Sequence, residues 1–285
     1  MSEQTSSPDV HPAWAGLLDD ARATTPQGTV SPELLAQHAD LRAGGLIGTL
    51  AVRDTDLPLL RGVTTPLRVV LTSGAGAVAG ALGLAAKLGL TVTSLQVALR
   101  DVDDLGGNAR RVVAAVDAAR GEGVLDDEVR VHVDVPTDLP GGVGGQWARA
   151  ADEVAAAELA LHLRCDGTVD VRPDEAARWI DAVLDRETPF SVAAAADVSD
   201  PAGAGDGTGL MGAVNLLLAT RQAFDGADRA TVTATLAGDD PTEVLTVARG
   251  EEYLAATRRW LPSVVASDPA AVADGLLATG LPTGS

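Results

Sequence analysis

The chain has 285 residues, 46% of them apolar, enough to bury a large core. Its 40 acidic and 21 basic side chains leave a net charge of −19, which repels phosphate backbones and anionic lipid surfaces and argues against nucleic-acid or membrane-surface partners. Four Trp, one Tyr and two Phe are too few for a base-stacking platform, and the single cysteine, Cys165, excludes an intrachain disulfide, a zinc ribbon and a CxxC redox site.

Residues 1–10 and 280–285 read as polar, small-residue tails flanking a single domain over 11–279. The N-terminus has no basic patch followed by an apolar stretch, and no run of 18 apolar residues occurs. With an unpaired thiol as well, these features place the expected location in the cytoplasm. Residues 11–42 read as an N-terminal helical extension. Short β-branched runs then alternate with Ala/Leu/Arg segments of helix length. The expected strands are 46–52, 67–72, 94–99, 129–135, 159–165, 190–195, a seventh at either 231–236 or 244–248, and 263–266. The segment from Pro173 begins a helix well: φ is fixed, no donor is lost, and Asp174 and Glu175 sit at the positive end of the dipole.

This rhythm fits either an open doubly wound sheet or a (β/α)8 TIM-like barrel. In an open sheet, central strands are apolar at every position. Here they alternate. Val129, Val131, Val133 and Val135 oppose Arg130, His132 and Asp134, while Leu159, Leu161 and Leu163 oppose His162 and Arg164. Leu67, Val69 and Leu71 oppose Arg68, and Leu95, Val97 and Leu99 oppose Ser94, Gln96 and Arg100. One polar interior shared by all strands is the signature of a closed barrel, and the α/β barrel is the expected fold.

Barrel sites gather at the carboxyl ends of the strands. Arg53, Arg100, Arg164, Asp166 and Asp197 fall there, and arginine forks suit carboxylate or phosphate. They are the candidate ligand set for a small anionic metabolite. His162 and Asp134 lie on neighbouring strands as a candidate general acid/base pair, the basis of a lyase or isomerase alternative. The competing structural reading is a buried network in which Arg130, His132, Asp134, His162 and Arg164 neutralise one another.

Other features carry less. The Gly-rich turn Ser73-Gly74-Ala75-Gly76 opens a helix, so a third reading is a nicotinamide-dependent oxidoreductase binding its cofactor at Gly74 and Gly76. That reading needs an open sheet with a crevice there, and tight helix–barrel packing is the plainer use of the glycines. Asp101, Asp103 and Asp104 read as a cation loop or as a solvated loop. The histidines (His11, His38, His132, His162) show no metal-ligand spacing, and the only lysine, Lys87, lies in an apolar helical run unsuited to a Schiff base.

Strands five to eight resemble an uncharacterised family of bacterial (β/α)8 barrel-like proteins. In that family strand five reads Lys-x-Arg-Thr/Cys-Gly-Gly and strand six reads Phe-Lys-x-Thr-Ala-Gly-Leu-His-His. A following helix carries His-Gly-Phe-x-Asn, and the C-terminal strand reads Ser-Phe-Gly-Ser-Cys-Ser-Phe-x-Glu-Pro. Here His162-Leu163-Arg164-Cys165-Asp166-Gly167 keeps Arg164 and Gly167, with His162 in place of the lysine. The segment from Phe190 to Val198 lacks the lysine, the threonine and both histidines. Gly212 and Asn215 remain of the third motif, and Ser263, Ser267 and Pro269 of the last. The resemblance spans about 120 residues and implies a barrel. Alanines at 193–196 remove the side-chain chemistry of strand six, so the chain looks like a diverged member, a pseudoenzyme with reduced or absent catalysis.

Overall fold

The computed structural model describes residues 10–136, 142–165, 171–194, 212–238 and 240–281. Among them, eight parallel strands close into a barrel in chain order: β1 (Leu18–Asp20), β2 (Ile47–Arg53), β3 (Leu67–Leu71), β4 (Val92–Ala98), β5 (Arg130–Asp134), β6 (Ala160–Cys165), β7 (Phe190–Ala194) and β8 (Val264–Ala266). The first and last strands close the ring, with Leu18, Asp19 and Asp20 opposite Val264, Val265 and Ala266. Helices α1 (Pro32–Ala43), α2 (Val78–Leu88), α3 (Leu105–Gly121), α4 (Gly145–Ala156), α5 (Pro173–Leu184) and α6 (Ala213–Phe224) connect successive strands, except between β2 and β3. There a 3-10 helix, Asp54–Leu60, takes the place of an α-helix. α7 (Arg229–Leu236) and α8 (Pro241–Gly250) follow α6, and α9 (Pro269–Ala278) ends the described chain. No helix among the described residues is long and apolar enough to cross a membrane.

The alternation decides the architecture. Leu67, Val69, Leu95, Val97, Val131, Val133, Leu161 and Leu163 are buried in the large core between strands and helices. Their neighbours Arg68, Ser94, His132, Asp134, His162 and Ser191 are buried inside the ring. Apolar side chains on one face and polar ones on the other can both be buried only if the second face has its own closed interior, where polar groups satisfy each other.

Two elements differ from expectation. The expected seventh strand does not form at 231–236 or 244–248; both segments are helical. Val232 and Leu236 are the buried residues of α7, a spacing of four, and Asp228 caps that helix by accepting from Thr231 N at 2.8 Å. Local capping and one apolar stripe outweigh the β-branched composition of Thr231, Val232, Thr233 and Thr235. The missing strand is β1, inside the stretch expected to be a helical extension; of that stretch only α1 is α-helical.

Closure also removes the crevice that the nicotinamide reading needs. The glycines after β3 are not there for close packing: a Cβ at Gly74, Gly76 or Gly80 would meet nothing within 4 Å, and only Gly74 has a positive φ, of 76°. Gly28 is the opposite case, since a Cβ there would lie 2.0 Å from the Arg22 carbonyl oxygen.

Candidate functional site

The barrel interior is built in layers, and successive inward positions lie two residues apart along each strand. The lower layer holds Asp19, Thr49, Arg68, Gln96, His132, His162, Ser191 and Ser263. Arg68 is its hub. The fully buried guanidinium donates to Asp19 Oδ2 (3.2 Å), Gln96 Oε1 (3.1 Å), Ser263 Oγ (3.3 Å), Ser191 Oγ (2.9 Å) and His162 Nδ1 (3.2 Å). Thr49 Oγ1 donates to the other oxygen of Asp19 at 2.6 Å. Five directed bonds are what allow a guanidinium to be buried at all.

Donor counting fixes the protons of this layer. Arg68 can only donate, so His162 Nδ1 must be an acceptor. Ser191 Oγ, 2.8 Å from that nitrogen, therefore spends its one proton on it. His132 Nδ1, 2.9 Å from the same hydroxyl, must then donate. His162 is the Nε2–H tautomer and His132 the Nδ1–H tautomer, both neutral. Burial first, and then the nearby Arg68 charge, hold both imidazoles well below the ordinary histidine pKa.

The upper layer differs in character. Two residues further along the strands stand Ala51, Val70, Ala98, Asp134, Arg164, Ala193 and Val265. Ala51, Ala193 and Val265 pack with Ala21 as a small apolar cluster separate from the main core. Against this floor one ion pair stands out. Arg164 Nε donates to Asp134 Oδ2 at 2.9 Å and its Nη2 reaches the same oxygen. Asp134 is 2% exposed, whereas the Arg164 side chain is 41% exposed.

The expected site residues therefore separate. Asp134 and Arg164 come together. His162 belongs to the layer beneath, held by Ser191 and Arg68, and is not hydrogen-bonded to Asp134. Arg53 ties down the turn after β1, donating to the carbonyls of Ala23 (2.8 Å), Thr25 (2.6 Å) and Gly28 (3.2 Å). Arg100 donates to the Thr72 carbonyl from an exposed position. Asp166 and Asp197 lie outside the described residues, and Cys165 ends β6. The acidic run is absorbed by local structure: Asp104 caps α3 through Gly107 N at 2.9 Å, and Asp101 pairs with Arg111 at 3.1 Å. Among the described residues no three His, Cys, Asp or Glu side chains group as a metal site.

Sequence reading missed the carboxylates of β1. Asp19 faces the barrel and Asp20 the helices. Asp20 receives the Arg22 fork at 3.0 and 2.8 Å and His38 Nδ1 at 3.0 Å, and His38 Nε2 meets Thr65 Oγ1 at 2.9 Å. Burial alone would raise the Asp20 pKa, but the bonds from His38 and Arg22 outweigh it and hold it below the usual carboxylate value. The carboxylate-oriented histidine sought at Asp134 thus occurs at Asp20, as a buried tie between β1 and α1. Only Leu17-Leu18-Asp19-Asp20 could have signalled it, too short a run to show a period. Asn215, kept from the family-like motif, is also structural, donating to the carbonyls of Thr235 (2.8 Å) and Gly238 (3.0 Å).

No family model matches the chain, and no curated protein matches it in sequence. Among solved structures it is similar to the Paramecium bursaria Chlorella virus arginine decarboxylase, at 11% sequence identity and a TM-score of 0.38, over 82% of this chain and 61% of that one. The chain thus spans less than two thirds of that protein's length, and a likeness this distant assigns no activity.

Proposed function

We propose that the carboxyl-terminal mouth of the barrel binds a small carboxylate- or phosphate-bearing metabolite through Arg164, with no acid–base catalysis by His162 and Asp134. The observation that carries this reading is the pairing of a half-exposed guanidinium with a floor of small side chains. Asp134 orients Arg164 from one side, and the side chains at the same level of the axis, Ala51, Ala193 and Val265, are small and apolar. A fork with a fixed orientation recognises a planar or tetrahedral anion better than a mobile one. The reading against catalysis rests on the separation of the expected pair: Asp134 serves Arg164, while His162 is 2% exposed and already bonded to Ser191 and Arg68. A cytoplasmic setting and descent from the bacterial barrel-like family belong to the same proposal, supported by the lone cysteine and by the retained Arg164, Gly212, Asn215 and Ser263.

The test is thermal-shift titration with inorganic phosphate and a panel of mono-, di- and tricarboxylates. We expect a concentration-dependent rise in Tm for at least one anion, and its loss in Arg164→Ala. No rise in the parent protein, or an equal rise in the variant, overturns the proposal.

A further inference from the structure

On the outside of the barrel, beside the amino-terminal ends of β7 and β8, lies a cavity of about 390 Å3. That is the lower end of the range for small-molecule sites. It forms where α5 and α6 end and where the chain leaves the 3-10 helix Leu254–Arg259 for Trp260.

Its electrostatics favour positive charge. The carboxyl ends of both α5 and α6 face it, each equivalent to roughly half a negative charge. Asp185 and Glu187 line it as well, and neither makes an ion pair among the described residues. The one basic residue in the lining, Arg259, has no ion pair or hydrogen bond there; its guanidinium rests on the Trp260 ring, 4.8 Å from the centroid. Two carboxylates and two helix ends outweigh that single cation.

The apolar part of the lining is unusual for this chain. Trp14, Trp147, Trp179 and Phe190 are at most 1% exposed, so accessible aromatic surface is concentrated here, with Phe224 49% and nearby Tyr253 57% exposed. Phe224 and Trp260 pack with centroids 5.5 Å apart at 36°. These ring faces already attract the protein's own cations: Arg221 stands over Phe224 (5.3 Å) and Tyr253 (5.8 Å). Ring faces carry negative quadrupole density and hold ammonium or guanidinium groups above them.

We propose that this cavity is a binding site for an organic cation: a protonated amine on an aromatic or branched-alkyl body, the ammonium facing Asp185 and Glu187 and the body on Phe224 and Trp260. The chain's overall charge of −19 steers such ligands toward it.

Protonated phenethylamine is the probe, with phenethyl alcohol as its neutral counterpart and phenylpropionate as its anion, each titrated by ligand-observed NMR and calorimetry. The amine should bind at least tenfold more tightly than the alcohol, and the anion not at all. Glu187→Gln and Phe224→Ala should each weaken amine binding fivefold or more, with Arg164→Ala leaving it unchanged. Glu187 has a φ of 51°, so Glu187→Gly relieves backbone strain and gives a well-folded second variant that must also lose affinity. Equal binding of amine and alcohol, no amine binding, or binding unmoved by the Glu187 and Phe224 changes overturns the proposal. Loss of amine binding in Arg164→Ala also overturns it, by placing the ligand at the barrel mouth.

Discussion

Ser191 is a small residue with a large structural consequence. Its hydroxyl accepts from Arg68 and His132 and donates to His162, so each lone pair and its proton are used. Ser191→Ala leaves a guanidinium N–H and an imidazole N–H unmatched in a dry interior, at a cost of about 1–3 kcal/mol. Arg68→Ala is worse. It strands the Asp19 carboxylate, 3% exposed, beside a cavity, and removal of one partner of a buried pair costs about 3–5 kcal/mol. Urea unfolding of the two variants measures both effects. An Arg68→Ala loss no larger than that of Ser191→Ala would mean that the guanidinium is not the hub. Nitrogen chemical shifts of the imidazoles give an independent check, with the proton expected on Nδ1 of His132 and on Nε2 of His162.

The ends of elements carry a different kind of information. α4 and α5 both terminate with a backward turn in which Leu159 N reaches Val154 O and Thr188 N reaches Val183 O. The residue before each, Glu158 and Glu187, has φ of 54° and 51°. After α2 the same turn is made at Gly89, with φ of 69°. A side chain in that conformation costs about 1–2 kcal/mol, part of which glycine returns as unfolded-state entropy. Glu158→Gly should therefore raise stability by about 0.5–1 kcal/mol, read as a higher urea midpoint at unchanged slope. A lower midpoint would show that the Glu158 side chain contributes more than its backbone costs. The ends of the barrel also mark where sequence reading works. Strands β3 to β6 alternate over at least five residues, long enough for a period of two to declare both faces. β1 is three residues long and shows no period, and its carboxylates Asp19 and Asp20 fall within the stretch that reads as a helical extension. The same limit hid half of the interior network. Arg68, His132 and His162 are legible as inward residues, whereas their anchors Asp19 and Ser191 sit on a short strand and shortly before an alanine run. Pairing across the ring was not legible either, because Asp134 neighbours His162 in register while its carboxylate reaches Arg164.

At the scale of the molecule, the outer surface and the axis of the barrel obey opposite electrostatics. The outside carries most of the 40 acidic side chains, while the axis collects Arg68 and two imidazoles in surroundings that exclude water. Arg258 enters from the amino-terminal side, donating to the carbonyls of Ala13, Ala15, Gly16 and Pro262, and burial depresses its pKa to about 10. With Arg68 charged, His132 and His162 stay neutral in the fold, their pKa values held well below the ordinary 6.5 by burial and by that charge. In the unfolded chain they titrate near 6.5. Below that pH the unfolded state binds more protons than the native state, so stability is full above about pH 6.5 and falls as pH drops through it. For two such sites the loss between pH 6.5 and 5.5 is at most about 2 kcal/mol. Asp20 acts in a separate window. Its folded pKa lies below the ordinary carboxylate value, so its contribution persists above about pH 4 and disappears only in stronger acid. Protonation of surface carboxylates relieves repulsion and works in the opposite direction as pH falls, but at about 0.15 M salt that repulsion is screened beyond roughly 8 Å whereas the buried imidazoles are not. Urea midpoints measured at that salt from pH 7.5 to 5 should therefore decline with a break near 6.5. A flat profile over that range would mean that the imidazoles accept protons within the fold, and that Arg68 does not sit charged beside them.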